Sequence, residues 1–286
     1  MDDIKLNIQW FPGHMTKARR MIADNVSQVD AVCEVLDARI PRSSRIPDIE
    51  ELTAGKPRLI VLNRADQADP ELTKRWSEYY RAKGFAVLET DSKAGKGINA
   101  FQKAVMALLM DKLRAWEEKG QSGRAVKIMV VGVPNVGKSS FINRISGRRA
   151  AEASDRPGVT RGKQWINAGK TLLLLDTPGI LWPKFEDPSI GEKLAYTGAI
   201  RDGVTDILAV TAKLLTVLRE RNPQGIRERL KFDPAEEMTG YEMLELAGRK
   251  RGFLISGGDV DYDRTGAVIL DEFRGAKLGR VTLEEP

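Results

Sequence analysis

Gly132-Val133-Pro134-Asn135-Val136-Gly137-Lys138-Ser139 fits G-x-x-x-x-G-K-[ST], the spacing of a phosphate-binding P-loop. The glycines let backbone N–H groups turn toward a polyphosphate, and a helix N-terminus behind them favours the anion. Lys138 supplies a cation to the β- and γ-phosphates, and Ser139 offers a hydroxyl to Mg²⁺. Pro134, Asn135, Val136, Gly137, Lys138, Ser139 and Ser140 are therefore the candidate phosphate cradle. The alternative is an ordinary glycine-containing strand–helix turn. The apolar run 127–131 before the loop and the helical pattern 140–145 after it favour the P-loop.

Further residues give the nucleotide and its metal a setting. Asp176-Thr177-Pro178-Gly179 ends an apolar strand; Asp176 can hold Mg²⁺ through a water, and the Gly179 N–H can meet a γ-phosphate. Thr160 lies in the polar loop 151–162, where its hydroxyl can complete the Mg²⁺ shell as a switch, or simply face solvent. Asn63-Arg64-Ala65-Asp66 follows another strand and is similar to the Asn-Lys-x-Asp guanine-reading motif. An Asp66 carboxylate can accept from guanine N1–H and N2–H₂, a donor pair that adenine lacks. Arg64 stands where lysine is usual, and its planar guanidinium can stack on the base. Taken alone, this tetrapeptide also suits a plain turn. Ser92, Lys93 and Ala94 resemble, in altered order, the Ser-Ala-Lys loop whose backbone N–H meets the guanine O6.

These groups must be carried by strands and helices. Strands are predicted over 30–36, 58–62, 86–89 and 127–131, with a hairpin of 164–167 and 171–175 about Ala168-Gly169. Helices are predicted over 70–83 and, as one long element, over 99–118. There Phe101, Val105, Leu108, Leu109 and Trp116 make one stripe, read as core rather than as a partner groove. Strand–helix alternation implies an α/β, doubly wound parallel sheet. The expected divisions are an N-terminal segment with a basic helix over 1–28, a nucleotide domain over 29–190, and a smaller all-helical domain over 191–286. A Thr239-Gly240-Tyr241-Glu242 capping box opens one of the last domain's helices.

At 286 residues the chain can bury a sizeable core. Its net charge of +6 and pI of about 9.3 suit an anionic partner, or merely a mildly basic protein. A single cysteine, Cys33, sits in an apolar run; it cannot form an internal disulfide and suits a reducing compartment. No signal peptide is visible, and no run approaches the ~20 apolar residues of a membrane span. A cytoplasmic monomer without membrane contact is expected. Asp259-Val260-Asp261-Tyr262-Asp263 begins like a calcium loop, but Arg264 replaces its glycine and Leu270 its glutamate, so calcium is excluded. Arg148-Arg149, Arg249-Lys250-Arg251, Arg274, Lys277 and Arg280 can meet RNA phosphates together, though each alone reads as a solvated face.

The base-reading elements 63–66 and 92–94 precede the P-loop, the reverse of their order in common small GTPases. This is a circular permutation, tolerable because domain termini often lie close together. That order resembles the circularly permuted ribosome biogenesis GTPase A family of bacteria. So do Trp10-Phe11-Pro12-Gly13-His14-Met15, Asp37-Ala38-Arg39-Ile40-Pro41, the P-loop and 176–180, and the likeness covers nearly the whole chain. It implies a GTPase that binds the immature large (50S) ribosomal subunit, rRNA and protein together, acts late in its maturation, and leaves after hydrolysis. Ile180 and Leu181 stand where a water-orienting glutamine is usual. The resemblance instead assigns the catalytic water to His14, the only histidine; a surface or packed histidine is the plain alternative. Asn135 occupies the position that helps coordinate K⁺ in some cation-activated GTPases, or it caps the loop. The rival class is an RNA- or protein-binding scaffold whose nucleotide hardly turns over. A tRNA-modifying or membrane GTPase has no segment to support it.

Overall fold

The computed structural model describes residues 6, 14–53, 55–121, 123–147, 164–182 and 185–286. They divide into two units: residues 14–182 with Glu284–Pro286, and residues 185–283 with Leu6. The expected boundary at 190 thus falls earlier, because the helix that opens at Pro188 packs with the helical unit. Among the described residues no helix is long and apolar enough to cross a membrane.

The first unit starts with α1 (His14–Asn25) and then builds one six-stranded sheet. Its strands are β1 (Ala31–Asp37), β2 (Arg58–Asn63), β3 (Ala86–Thr90), β4 (Val126–Val131), β5 (Gln164–Ala168) and β6 (Leu172–Asp176). Their spatial order is β3-β2-β1-β4-β6-β5. All pairs are parallel except the β5–β6 hairpin, as its turn at Gly169 (φ +71°) requires. β1 is buried along its whole length, which is why its sequence is nearly continuously apolar instead of alternating.

The crossovers are α2 (Ile49–Leu52), α3 (Pro70–Ala82), α4 (Phe101–Leu108), α5 (Met110–Glu118) and α6 (Lys138–Ser146). Asp69 caps α3, accepting from the Leu72 N–H at 2.8 Å, with Pro70 at the first turn where its missing N–H costs nothing. The single helix expected over 99–118 is two. Leu109 leaves the helical region (φ −109°, ψ +16°) while burying its side chain; beyond it no residue of α5 is buried, so no apolar face holds the axis straight. Phe101 of α4 meets Phe141 of α6 edge-to-face at 5.2 Å, joining the two helices under the sheet.

Leu36, Ile60, Leu62, Trp76, Tyr80 and Val87 form a core cluster beneath α3. The chain's last residues return to it. Trp76 Nε1 donates to the Glu284 carbonyl at 3.1 Å, and the Glu284 carboxylate accepts from the Arg42 N–H at 2.7 Å and from the Ser43 N–H and hydroxyl. Cys33 is buried, and that burial pushes its thiol pKa up.

The second unit contains α7 (Pro188–Tyr196), α8 (Ile207–Arg221), α9 (Pro223–Leu230), α10 (Gly240–Lys250) and α11 (Tyr262–Arg274), and no strand among its described residues. α10 and α11 pack on the apolar side of α8; at Gly240 an added Cβ would lie 2.2 Å from the Ala212 carbonyl. The Thr239–Glu242 capping box is formed, with both reciprocal bonds. In the stretch 259–263 Asp261 caps α11, and among the described residues no acidic, histidine or cysteine cluster could hold a metal.

Candidate functional site

Parallel pairing puts the carboxyl ends of β1, β2, β3, β4 and β6 along one sheet edge. Asp37 registers with Asn63, Asn63 with Thr90, and Val130 with Asp176. Ligands of open α/β sheets bind at such an edge. The sequence-predicted base-reading and phosphate-binding segments therefore meet, although they are far apart along the chain.

The P-loop leaves β4 so close to β1 that a Cβ on Gly132 would lie 2.6 Å from the Val35 carbonyl. Asn135 (φ +60°) and Gly137 (φ +89°) take left-handed conformations, which turn the loop back into α6 at Lys138. Lys138 is 6 % exposed; its Nζ lies 2.6 Å from Asp176 Oδ1 and also donates to the Thr177 carbonyl. The P-loop cation and the Asp-x-x-Gly carboxylate are thus one buried pair, with the Ser139 hydroxyl one residue along the helix. These are hard oxygen donors beside a helix N-terminus, which fits Mg²⁺. The Asp176–Gly179 segment presses on the loop: the Ile180 N–H donates to the Gly132 carbonyl at 3.2 Å, and a Cβ on Gly179 would lie 2.8 Å from Pro134 Cα and N. Ile180 and Leu181 are buried, so neither side chain is placed to orient water.

Asn63 ties the base-reading side to this loop. Its Nδ2 donates to the Val136 carbonyl at 2.7 Å. Its Oδ1 accepts from Thr90 Oγ1 at 3.1 Å, the Ser92 N–H at 3.2 Å and Ser92 Oγ at 2.7 Å. Arg64 (φ +60°) reaches the same loop, its Nη2 donating to the Asn135 carbonyl at 2.9 Å. Asp66 is exposed, on a turn fixed by the Ala65 N–H bond to the Thr90 carbonyl at 3.1 Å. Ser92 thus serves to orient Asn63. The Lys93 and Ala94 N–H groups both donate to Asp91 Oδ1 at 2.9 Å, so they are not turned out toward a base as the Ser-Ala-Lys likeness suggests. Arg144 of α6 holds this loop by donating to the Ser92 and Lys93 carbonyls.

Several contributors have no site role in the sequence analysis, where Asp37 enters only within the 37–41 motif of the family resemblance. Asp91 and Arg144 shape the 92–94 loop. Asp37, 1 % exposed, binds Arg39 through Oδ1 to Nε at 2.9 Å and Oδ2 to Nη2 at 2.7 Å. Burial pushes the Asp37 carboxyl up, but the charge and hydrogen bonds of Arg39, with Arg64 behind it, outweigh this and hold it below its ordinary value. An aspartate at the very end of an apolar strand, two residues before an arginine, is the one signal that points there. Thr160 and Arg148-Arg149 lie outside the described residues, as does the side chain of His14, whose backbone opens α1. Three of the RNA-facing candidates of the helical unit are engaged in ion pairs within it: Arg251 with Glu272, Arg274 with Asp202 and Arg249 with Glu245.

Fold and site together define a P-loop GTPase of circularly permuted order. Residues 127–237 match a family model described as 50S ribosome-binding GTPase. The match begins at β4, and residues 63–66 lie ahead of it. Over 98 % of its length the chain is 44 % identical to Ribosome biogenesis GTPase A of Priestia megaterium, covering 98 % of that protein. It is 33 % identical to the mouse Mitochondrial ribosome-associated GTPase 1, over 96 % of this chain and 90 % of that one. Among solved structures, GNP-bound YlqF from T. maritima is similar, with a TM-score of 0.67 and 27 % identity over 94 % of this chain and 98 % of that chain. A GDP-bound TM YlqF structure gives a TM-score of 0.67 at 28 % identity, over 93 % and 99 %. The chain belongs to the ribosome biogenesis GTPase A family. It binds GTP and GDP, hydrolyses GTP and serves ribosome assembly, which sets aside the scaffold alternative.

Gly179→Ala tests the closeness of the Asp-x-x-Gly segment to the P-loop. The clash with Pro134 backbone should cost about 1–3 kcal/mol, seen as GTP binding weakened by roughly five- to a hundredfold in calorimetry. Wild-type affinity would show that the two segments can separate freely.

Proposed function

We propose that the chain binds the immature large ribosomal subunit, rRNA and protein surfaces together, and that its GTP hydrolysis is stimulated by that particle late in assembly. It acts in the cytoplasm as a monomer. The observation that carries the nucleotide part is the Asn63–Val136 bond, which sets Asp66 and Lys138 on one edge of the sheet. The family description as 50S ribosome-binding supports the particle.

In this reading Asp66 accepts from the guanine N1–H and N2–H₂, Arg64 covers the base, and the 132–140 backbone cradles the phosphates. Lys138 exchanges Asp176 for the β- and γ-oxygens, a short move for a flexible ammonium already at the loop. Ser139, Thr160 and, through a water, Asp176 hold Mg²⁺, which supplies positive charge to the phosphate oxygens when bound. Gly179 offers its N–H to the γ-phosphate. Burial of Ile180 leaves the attacking water to another group, and His14 is the imidazole available for it. Asn135 contributes an oxygen to a K⁺ ion beside the phosphates.

Xanthine carries a carbonyl where guanine carries N2–H₂, so Asp66→Asn should invert base choice. We expect GTP affinity to fall about a hundredfold, the worth of a paired charged hydrogen bond, while XTP binding appears. Unchanged GTP affinity would remove Asp66 from base reading. His14→Ala should keep GTP binding and co-sedimentation with purified large subunits in a non-hydrolysable analogue, yet lose about a hundredfold of subunit-stimulated turnover. A full stimulated rate in that variant would assign the water elsewhere. Turnover in KCl should exceed that in NaCl by about tenfold, and equal rates would deny Asn135 its cation.

A further inference from the structure

One buried carboxylate joins segments that the nucleotide reading does not otherwise connect. Asp37, whose side chain is 2 % exposed, ends β1 directly opposite Asn63. Its neighbour Ala38 donates N–H to the Asn63 carbonyl at 2.9 Å, and its own N–H donates to Ser44 Oγ at 3.0 Å. Its carboxylate grips the equally buried Arg39 guanidinium by two side-chain bonds, so it cannot swing. The remaining neighbour is Arg64, whose buried Nε lies 3.8 Å from Asp37 Oδ2, a charge contact with no hydrogen bond to Nε. From there the Arg64 guanidinium spreads to the Asn135 carbonyl at 2.9 Å and to Gln67 Oε1 at 3.4 Å. A guanidinium presents five donors in a rigid fork; a lysine ammonium has no second edge to lean on a carboxylate behind it.

We propose that Asp37 is a positioning residue for nucleotide retention: its buried charge draws the Nε edge of Arg64 toward it without a hydrogen bond, and so orients the Nη2 that holds the Asn135 carbonyl at the P-loop's apex. This rests on guanine nucleotide lying between 63–66 and the P-loop. Asn135 holds a left-handed conformation, which an asparagine tolerates but does not enforce. The bond from Arg64 supplies the enforcement, and Asp37 aims the donor. The arginine in place of the usual lysine is then matched to Asp37 and is no mere tolerated variant.

The test is the dissociation rate of a fluorescent GDP followed by stopped flow, with the thermal midpoint as a folding control. Asp37→Asn should speed release about tenfold, because affinity changes within one site fall mostly on the off-rate. Arg64→Met should speed it similarly, and the double variant no more than Arg64→Met alone, since both changes break one linkage. A purely structural role for Asp37 predicts that the two effects multiply, and that result, or a wild-type rate in Asp37→Asn, overturns the proposal. If Asp37→Asn does not fold because Arg39 is left buried and unpaired, Asp37→Asn with Arg39→Met removes the stranded charge. That variant should again release GDP about tenfold faster, and a wild-type rate overturns the proposal equally. Asp66→Asn run alongside separates the layers. If it leaves release unchanged, the nucleotide placement has failed; if it speeds release and the Asp37 variants do not, only the Asp37 linkage has.

Discussion

A single buried amide holds the nucleotide edge together. Asn63 can give two hydrogens and take two or more, and its four bonds go to the P-loop, to the end of β3 and to the loop after it. Only one orientation of the amide satisfies both sides, since the Val136 carbonyl must face NH₂ and the Ser92 N–H must face oxygen. The closeness has a local consequence. A Cβ on Gly137 would sit 2.4 Å from Asn63 Nδ2, so the second P-loop glycine is required by its neighbour as well as by its own φ of +89°. On the other side Arg64 is held at φ +60°, a conformation that costs a non-glycine residue on the order of 1 kcal/mol. Its bond to the Asn135 carbonyl offsets that strain, and the strained backbone is what aims the side chain at the loop.

Such a network explains why reversing the order of the motifs leaves the site intact. None of its bonds depends on which strand is made first. They depend on strand ends lying side by side in the order β2-β1-β4-β6, with parallel registers that keep the carboxyl ends level. The connection that permutation adds, from α5 to β4, lies at the opposite, amino-terminal edge, where β4 begins at Val126. It can be glycine-rich and polar because nothing in the site passes through it.

The same distinction governs what could be read from sequence. Strand positions, the hairpin and the P-loop are legible because each is written in local pattern: an apolar run, a turn, a glycine spacing. The split at Leu109 is not, since the stripe continues through it and only the absence of a surface under α5 ends the helix. The partner of Ser92 is not legible either. Its bond to Asn63, and Asp91's hold on the next two N–H groups, depend on a loop closure that no spacing encodes. Glu284 carries the lesson furthest. Nothing in its local pattern singles it out, yet Glu284 is 5 % exposed because four donors from Arg42, Ser43 and Trp76 surround it.

Two carboxylates on β1 show how donor geometry decides the direction in which an enclosed acid shifts. Glu34 and Asp37 are both fully enclosed, and burial pushes both upward. Glu34 has Arg45 at 3.5 Å and Arg58 at 3.9 Å, near enough to lower its energy but not to bond it well, and its carboxyl stays above the ordinary value. Asp37 has Arg39 at 2.7 Å with further bonds on its other oxygen, and ends below. By linkage the two act in opposite senses. The contribution of Asp37 is present above the unfolded carboxyl range and is lost as pH falls through its depressed folded value. The contribution of Glu34 is fully present below the unfolded range and is lost as pH rises through its raised folded value. Of the two, Asp37, which is nearer the nucleotide edge, is the one shifted toward its charged form, and Arg64 leans on that charge.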